Sequence, residues 1–146
     1  MDYDQLVQLD VEDLAEQGIL EAYEKLMPRL KQYVDAPIVV TEQVNIDAGT
    51  YSVFADGKTF EIWEDGAKNS DGWERATVAF FEMVNANLSS SDRQFYALYG
   101  GNDLSGVFLS LEEFATARRA IRKRSNWPWR PVHEPPHYGY PVDGTV

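Results

Sequence analysis

Apolar residues along this chain fall into two rhythms, one near 3.6 residues and one near two, and their alternation predicts the elements. From Asp10 to Tyr33 the apolar positions Leu14, Ile19/Leu20, Tyr23, Leu26/Met27 and Leu30 recur every three or four residues, which predicts a helix. Gly18 should break or pinch it, and Pro28 should kink or restart it, because proline lacks an N–H and crowds the carbonyl four residues back. Pro37 to Ile46 is β-branched and bounded by turn residues, so it reads as a strand. "TYSVFADGKTFEIW" then alternates around Asp56-Gly57, a pair suited to a two-residue type I′ turn. Counting outward pairs Ala55 with Lys58, Phe54 with Thr59, Val53 with Phe60, Ser52 with Glu61 and Tyr51 with Ile62. Turn and pattern agree on that register.

Asp71 to Leu88 returns to helical period. Trp73, Ala76, Phe80, Val84 and Leu88 form an apolar stripe, and Asp71 with Glu74 has capping-box spacing. "RQFYALYGGNDLSGVFLS" predicts a second hairpin, strands about 93–99 and 104–109 around Gly100-Gly101-Asn102-Asp103. The double glycine fits a turn that needs positive φ; a phosphate loop would need G-x-G-x-x-G or a Walker lysine followed by a helix. Ser110 and Glu113 make an S-x-x-E capping box opening a third helix, with Leu111, Phe114, Ala115 and Ile121 facing inward. The basic run Arg118, Arg119, Arg122, Lys123, Arg124 falls at its last turn, where cations complement the helix dipole.

These elements predict an α+β fold of order α-β-β-β-α-β-β-α, a mainly antiparallel five-stranded sheet packed by helices. Residues 1–125 form one domain, and 126–146 an extended tail. That tail holds five of the seven prolines together with Trp127, Trp129, Tyr138 and Tyr140. Disordered tails are poor in aromatics, so this one should lie along the domain and bury its tryptophans.

The tail also contains "HEPPH", His133 to His137, which matches the zinc-peptidase pattern H-E-x-x-H. That pattern works on a helix, where i and i+4 share a face. Here both intervening residues, Pro135 and Pro136, oppose a helix. In an extended run the two histidine Cα atoms stand ~12 Å apart instead of ~6 Å. With no other histidine and no cysteine in the chain, the expectation is no metal and no cofactor.

Composition narrows the function classes. Zero cysteines removes disulfides, Fe–S clusters and thiol catalysis. No apolar run is long enough to span a bilayer, and Met1-Asp2-Tyr3-Asp4 is acidic where a secretory signal is basic, so the expected location is cytoplasmic. The formal net charge is −11, from 24 acidic and 13 basic residues. That disfavours nucleic acid and anionic membranes as partners and favours cationic proteins. Residues 1–24 alone carry eight acids and no base, the pattern of a solvated face. No serine nucleophile motif occurs; Leu104-Ser105-Gly106 lies in a strand. Tyr96, Tyr99, Asn102 and Asp103 gather at one end of the second hairpin as a plausible binding edge.

The run Gly72-Trp73-Glu74-Arg75-Ala76-Thr77 leading into Phe80, and "YALYGGNDLSGVFL" from Tyr96 to Leu109, resemble a group of small bacterial immunity proteins. These are encoded beside secreted polymorphic toxins of the contact-dependent-inhibition kind. The similarity spans about residues 60–125 and carries no catalytic signature, so no functional residue transfers. It implies a cytosolic antidote that binds a toxin domain, and the leading reading is a non-enzymatic one; the acidic charge of the chain suits a toxin with a cationic surface, such as a nuclease. The residues expected to meet that partner are Glu61, Trp63, Glu64 and Asp65 on the first hairpin, and Tyr99, Asn102 and Asp103 on the second. The alternative is a small enzyme using carboxylates and tyrosines on the Gly-Gly-Asn-Asp rim, or a regulatory binding protein.

Overall fold

The computed structural model describes residues 1–45, 47–64 and 72–132. Asp65, Asp71 and the two histidines of the tail therefore lie outside the described residues, and so does the side chain of Trp73.

The described residues form six strands and three helices, in α+β arrangement. The strands are β1 (Val7–Gln8), β2 (Val40–Asn45), β3 (Thr50–Ala55), β4 (Lys58–Glu64), β5 (Arg93–Leu98) and β6 (Ser105–Ser110); the helices are α1 (Ile19–Leu30), α2 (Gly72–Ala86) and α3 (Leu111–Ala120). All strand pairs are antiparallel, but they do not form one five-stranded sheet. They form two three-stranded sheets, ordered β2-β3-β4 and β1-β6-β5. β1, a two-residue strand at the N-terminus, was not expected; it pairs Val7 with Gly106 and Gln8 with Ser105.

Helix α2 explains why the sheet divides. The apolar stripe predicted one buried face, yet Ala76, Thr77, Val78, Ala79, Phe80, Phe81, Met83, Val84 and Asn85 are all buried. A helix buried over so much of its circumference needs neighbours on more than one side. α2 packs against both β4 and β5, and so stands where a continuous sheet would run. The signal was present in "ATVAFFEMVN", which holds a single charge, Glu82. One core joins Leu26 and Leu30 of α1, Val53 of β3, Phe80 and Val84 of α2, and Phe95 and Phe108 of the second hairpin.

The first helical segment is broken, as Gly18 suggested. Asp10 caps a short turn, Val11–Asp13, by accepting from the backbone of Glu12 and Asp13. The chain then kinks at Glu16 and Gln17, where Gln17 has φ 69°, before α1 begins. Pro28 lies in the last turn of α1, which continues past it to Leu30.

In the first hairpin Asp56 and Gly57 have φ of 53° and 71°, the two positive values of a type I′ turn. The expected register holds from Ala55–Lys58 to Ser52–Glu61. It then shifts: Tyr51 pairs with Trp63, not Ile62. A bulge resolves the conflict between strict alternation and two adjacent large apolar residues. Ile62 becomes fully buried, and Trp63 still turns its indole Nε1 onto the Ala15 carbonyl at 2.9 Å.

The second hairpin has the expected strands, but the positive φ falls on Tyr99 (62°), while Gly101–Asp103 form a 3-10 turn. The Ser110–Glu113 capping box is present in both directions. Leu111, expected inward, is 76% exposed, because the inner edge of α3 runs through Phe114 and Ala117. α3 ends at Ala120, so only Arg118 and Arg119 of the basic run lie in its last turn.

Beyond α3 the chain turns back along β5. Ala97 donates to the Trp129 carbonyl at 2.7 Å and Trp129 to the Ala97 carbonyl at 2.9 Å. Trp129 is buried in the main core, and half-buried Trp127 donates its Nε1 to the Ile121 carbonyl at 2.7 Å. Among the described residues no helix is long and apolar enough to cross a membrane.

Candidate functional site

The pairing of β1 with β6 carries the acidic N-terminal segment onto the rim of the second hairpin. Leu9 extends that contact by donating to the Leu104 carbonyl at 2.7 Å. The next residue, Asp10, is the cap of the Val11–Asp13 turn, so its carboxylate is held in place by backbone N–H groups. From the hairpin side, Asn102 Nδ2 donates to Asp10 Oδ1 at 2.9 Å and to Glu12 Oε2 at 3.3 Å. One amide thus bridges two carboxylates separated from it by about ninety positions in the chain.

Below this clamp lies a cleft of about 330 Å³ between the N-terminal segment and α1. Its walls carry Asp10, Asp13, Glu16 and Glu21, with Val7 and Leu14 between them. Lys25 also lines it, but its ammonium is occupied by Glu21 at 3.2 Å, one helical turn away. The local balance is therefore negative. Glu12 and Asp103, both exposed, continue the charge outward. The Gly18 kink shapes this cleft, since it turns Glu16 and Gln17 out of the helix and onto the wall.

Of the seven residues expected to meet a partner, Asn102 and Asp103 belong to this acidic rim. Tyr99 is half-buried, packed with Leu6 and Phe114 against Leu98 and Leu109. Glu61 and Glu64 stand on β4, in the other sheet, opposite Ser52 and Thr50. Trp63 is a buttress for the kinked segment, with its ring 6.1 Å from that of Tyr51. Glu61 lines a separate groove of about 340 Å³ between β4 and α2, with Lys58, Phe60, Arg75, Val78 and Glu82. Asp10, Asp13, Glu16 and Glu21 were not singled out from the sequence. Their signal was the uninterrupted acidic run itself, which alone does not distinguish a shared cleft from a scattered solvated face.

The tyrosines are placed for structure. Tyr96 does not sit at the rim with Tyr99; it is buried with its ring 4.4 Å from Phe114, and burial raises its pKa against the opposing pull of Arg130 and Arg118. Burial also raises Tyr23, whose hydroxyl donates to the Ile38 carbonyl at 2.7 Å and accepts from Asn87. Tyr51 is raised furthest, first by burial and then by its 2.7 Å hydrogen bond to Glu42. All three are kept neutral, Tyr23 and Tyr51 as hydrogen-bond donors, and would make poor bases at ordinary pH. Among the described residues no group of three or more acids, histidines or cysteines is arranged to hold a metal ion. What the acidic cleft can do is attract and pair cationic groups. Comparison with family models, curated proteins and solved structures finds no match for this chain.

Proposed function

We propose that this protein is a non-enzymatic immunity protein, which neutralises a toxin domain by docking its acidic rim and cleft onto a cationic surface such as a nuclease presents. The observation that carries this reading is the Asn102 clamp. It joins Asp10 and Glu12 to the hairpin rim and pre-orders a negative surface whose one lining base is already paired. Charge of one sign held on a rigid frame steers an oppositely charged partner and raises its association rate. The family resemblance of residues 60–125 supports the same reading.

The experiment looks for a toxin-like protein encoded beside the gene for this chain, as the reading requires, and measures its association with this protein. Charge reversal at Asp13, Glu16 and Glu21 is expected to slow association roughly tenfold or more, and so is raised salt. A parallel reversal at Glu61 and Glu64 reports whether the first hairpin also takes part. Association that ignores both salt and the cleft substitutions would refute the acidic interface.

A further inference from the structure

The two sheets differ in how their edges are finished. The outer edge of β5 is closed, by the Asn85 side chain at Phe95 and by Trp129 at Ala97. The outer edge of β2 is not. Ala55 and Lys58 flank a two-residue turn and form a hydrogen-bonded pair, as do Val53 and Phe60. Ser52 and Phe54 therefore address β2, where they meet Gln43 and Thr41. By the same alternation, the backbone N–H and C=O groups of Val40, Glu42 and Val44 point away from the sheet. Among the described residues none of them finds a partner.

Exposed edges normally carry a device against pairing, such as a lysine or other charge, a proline or a bulge. β4 has two of these, Lys58 and the bulge near Ile62. Val40–Asn45 has only its single charge, Glu42, and that side chain is drawn onto the Tyr51 hydroxyl at 2.7 Å, leaving the backbone edge uncovered among the described residues. Beside the start of β2, Val39 is 79% exposed on the rim of a cleft of about 320 Å³ that half-buried Leu20, Met27 and Ile38 line. On the α1 side of that cleft stand Glu24 and Lys31, seven residues apart, exposed, and in no ion pair among the described residues.

We infer that this surface takes a second copy of the same chain. A two-fold axis makes β2 antiparallel to its mate, extending two three-stranded sheets into one of six. It also runs the two α1 helices antiparallel. Glu24 of each copy then faces Lys31 of the other, Met27 lies near the axis, and each exposed Val39 is covered. The charge pattern is self-complementary under that operation, as an isologous interface requires. This is a separate surface from the acidic cleft, and it leaves the cleft free for a different partner.

The test is sedimentation velocity with light scattering on the full chain, across two decades of micromolar concentration. The expected mass is twice that of the 16.6 kDa chain. Val39→Lys should weaken the dimer roughly tenfold or more, the cost of placing a charge in a buried apolar contact. Lys31→Glu should weaken it several-fold, and Glu24→Lys with Lys31→Glu should restore it. These positions are exposed, so an unchanged circular dichroism spectrum is expected for every variant. Each copy carries a net −11, so self-association should strengthen as salt screens that repulsion. Docking of a cationic partner should weaken instead, so the two readings fail independently. A mass that stays at one chain throughout, or a dimer indifferent to Val39→Lys, overturns the inference.

Discussion

Asn85 on α2 treats Phe95 on β5 as a strand would: its Nδ2 donates to the Phe95 carbonyl at 3.0 Å, and its Oδ1 accepts the Phe95 N–H at 2.7 Å. Phe95 is fully buried, so no water can replace these bonds. Each orphaned backbone group costs about 1–3 kcal/mol. Asn85→Ala is therefore expected to lower stability by about 2–4 kcal/mol in urea unfolding, a large loss for one amide. Asn85→Asp keeps the acceptor but sets a carboxylate against the Phe95 carbonyl, and should do no better. A change within experimental error for both variants would mean the β5 edge is held by Trp129 alone.

Tyr51 links three parts of the fold. Its hydroxyl donates to Glu42 and accepts from the Ile19 N–H at 3.3 Å, at the start of α1. Tyr51→Phe should cost about 1–2 kcal/mol at neutral pH. The pH dependence follows from the raised pKa. Folded Tyr51 ionises well above the ordinary value of 10.0, so the unfolded chain loses its proton first. The stabilising contribution is thus complete below that ordinary value and is lost as pH rises, by about 1.4 kcal/mol per pH unit per group. Tyr23 and Tyr96 act in the same direction. Denaturant melts should show stability falling on the alkaline side, and a shallower fall in Tyr51→Phe; equal slopes would contradict this.

Trp129 both fills the core and supplies the outermost backbone partner of β5. Trp129→Ala should cost about 3–5 kcal/mol, the usual range for emptying a large aromatic site. Ending the chain after Ser125 removes the same ring and both bonds to Ala97, so the melting temperature should drop by several degrees. Trp127 is only half-buried, and its emission should lie to the red of that from Trp129. Single Trp→Phe variants at the two positions separate the spectra.

Gly18 and Gly106 should both resist alanine, for different reasons. Helix propensity alone would favour Gly18→Ala by about 1 kcal/mol. A Cβ there, however, would run into the backbone carbonyl of Asp13, so the kink must open and the variant should be destabilised. At Gly106 a Cβ would enter the ring of Phe95, itself packed between Phe81 and Phe108. Thermal melts lower than the parent protein are expected for both. A stabilised Gly18→Ala would mean that the kink straightens freely.

The local elements were largely legible in the residues. Asp56-Gly57 determined a type I′ hairpin and four of its cross-strand pairs, because two residues that accept positive φ leave one tight turn. Ser110 with Glu113 determined where α3 begins, because each side chain satisfies the other's backbone. Gly18 marked the break before α1. These are short-range matters of sterics and hydrogen bonding within a few residues, and the sequence states them directly.

Tertiary structure decided what lies beyond that range. Alternation showed that β4 buries a face and the turn residues marked the second hairpin, but neither showed that α2 would stand between β4 and β5 and divide one sheet into two. The adjacent apolar residues Ile62 and Trp63 set up a conflict with strict alternation, but how it is resolved depends on the kinked segment at Ala15, which Trp63 supports. The acids of residues 1–24 were visible as a run, yet only β1 pairing with β6 brought Asp10 and Glu12 under Asn102. A hydrophobic period fixes which face of an element turns inward, since that depends on the element's own geometry. Which neighbour it meets there depends on how all the faces can be buried together, and no short stretch of chain contains that information.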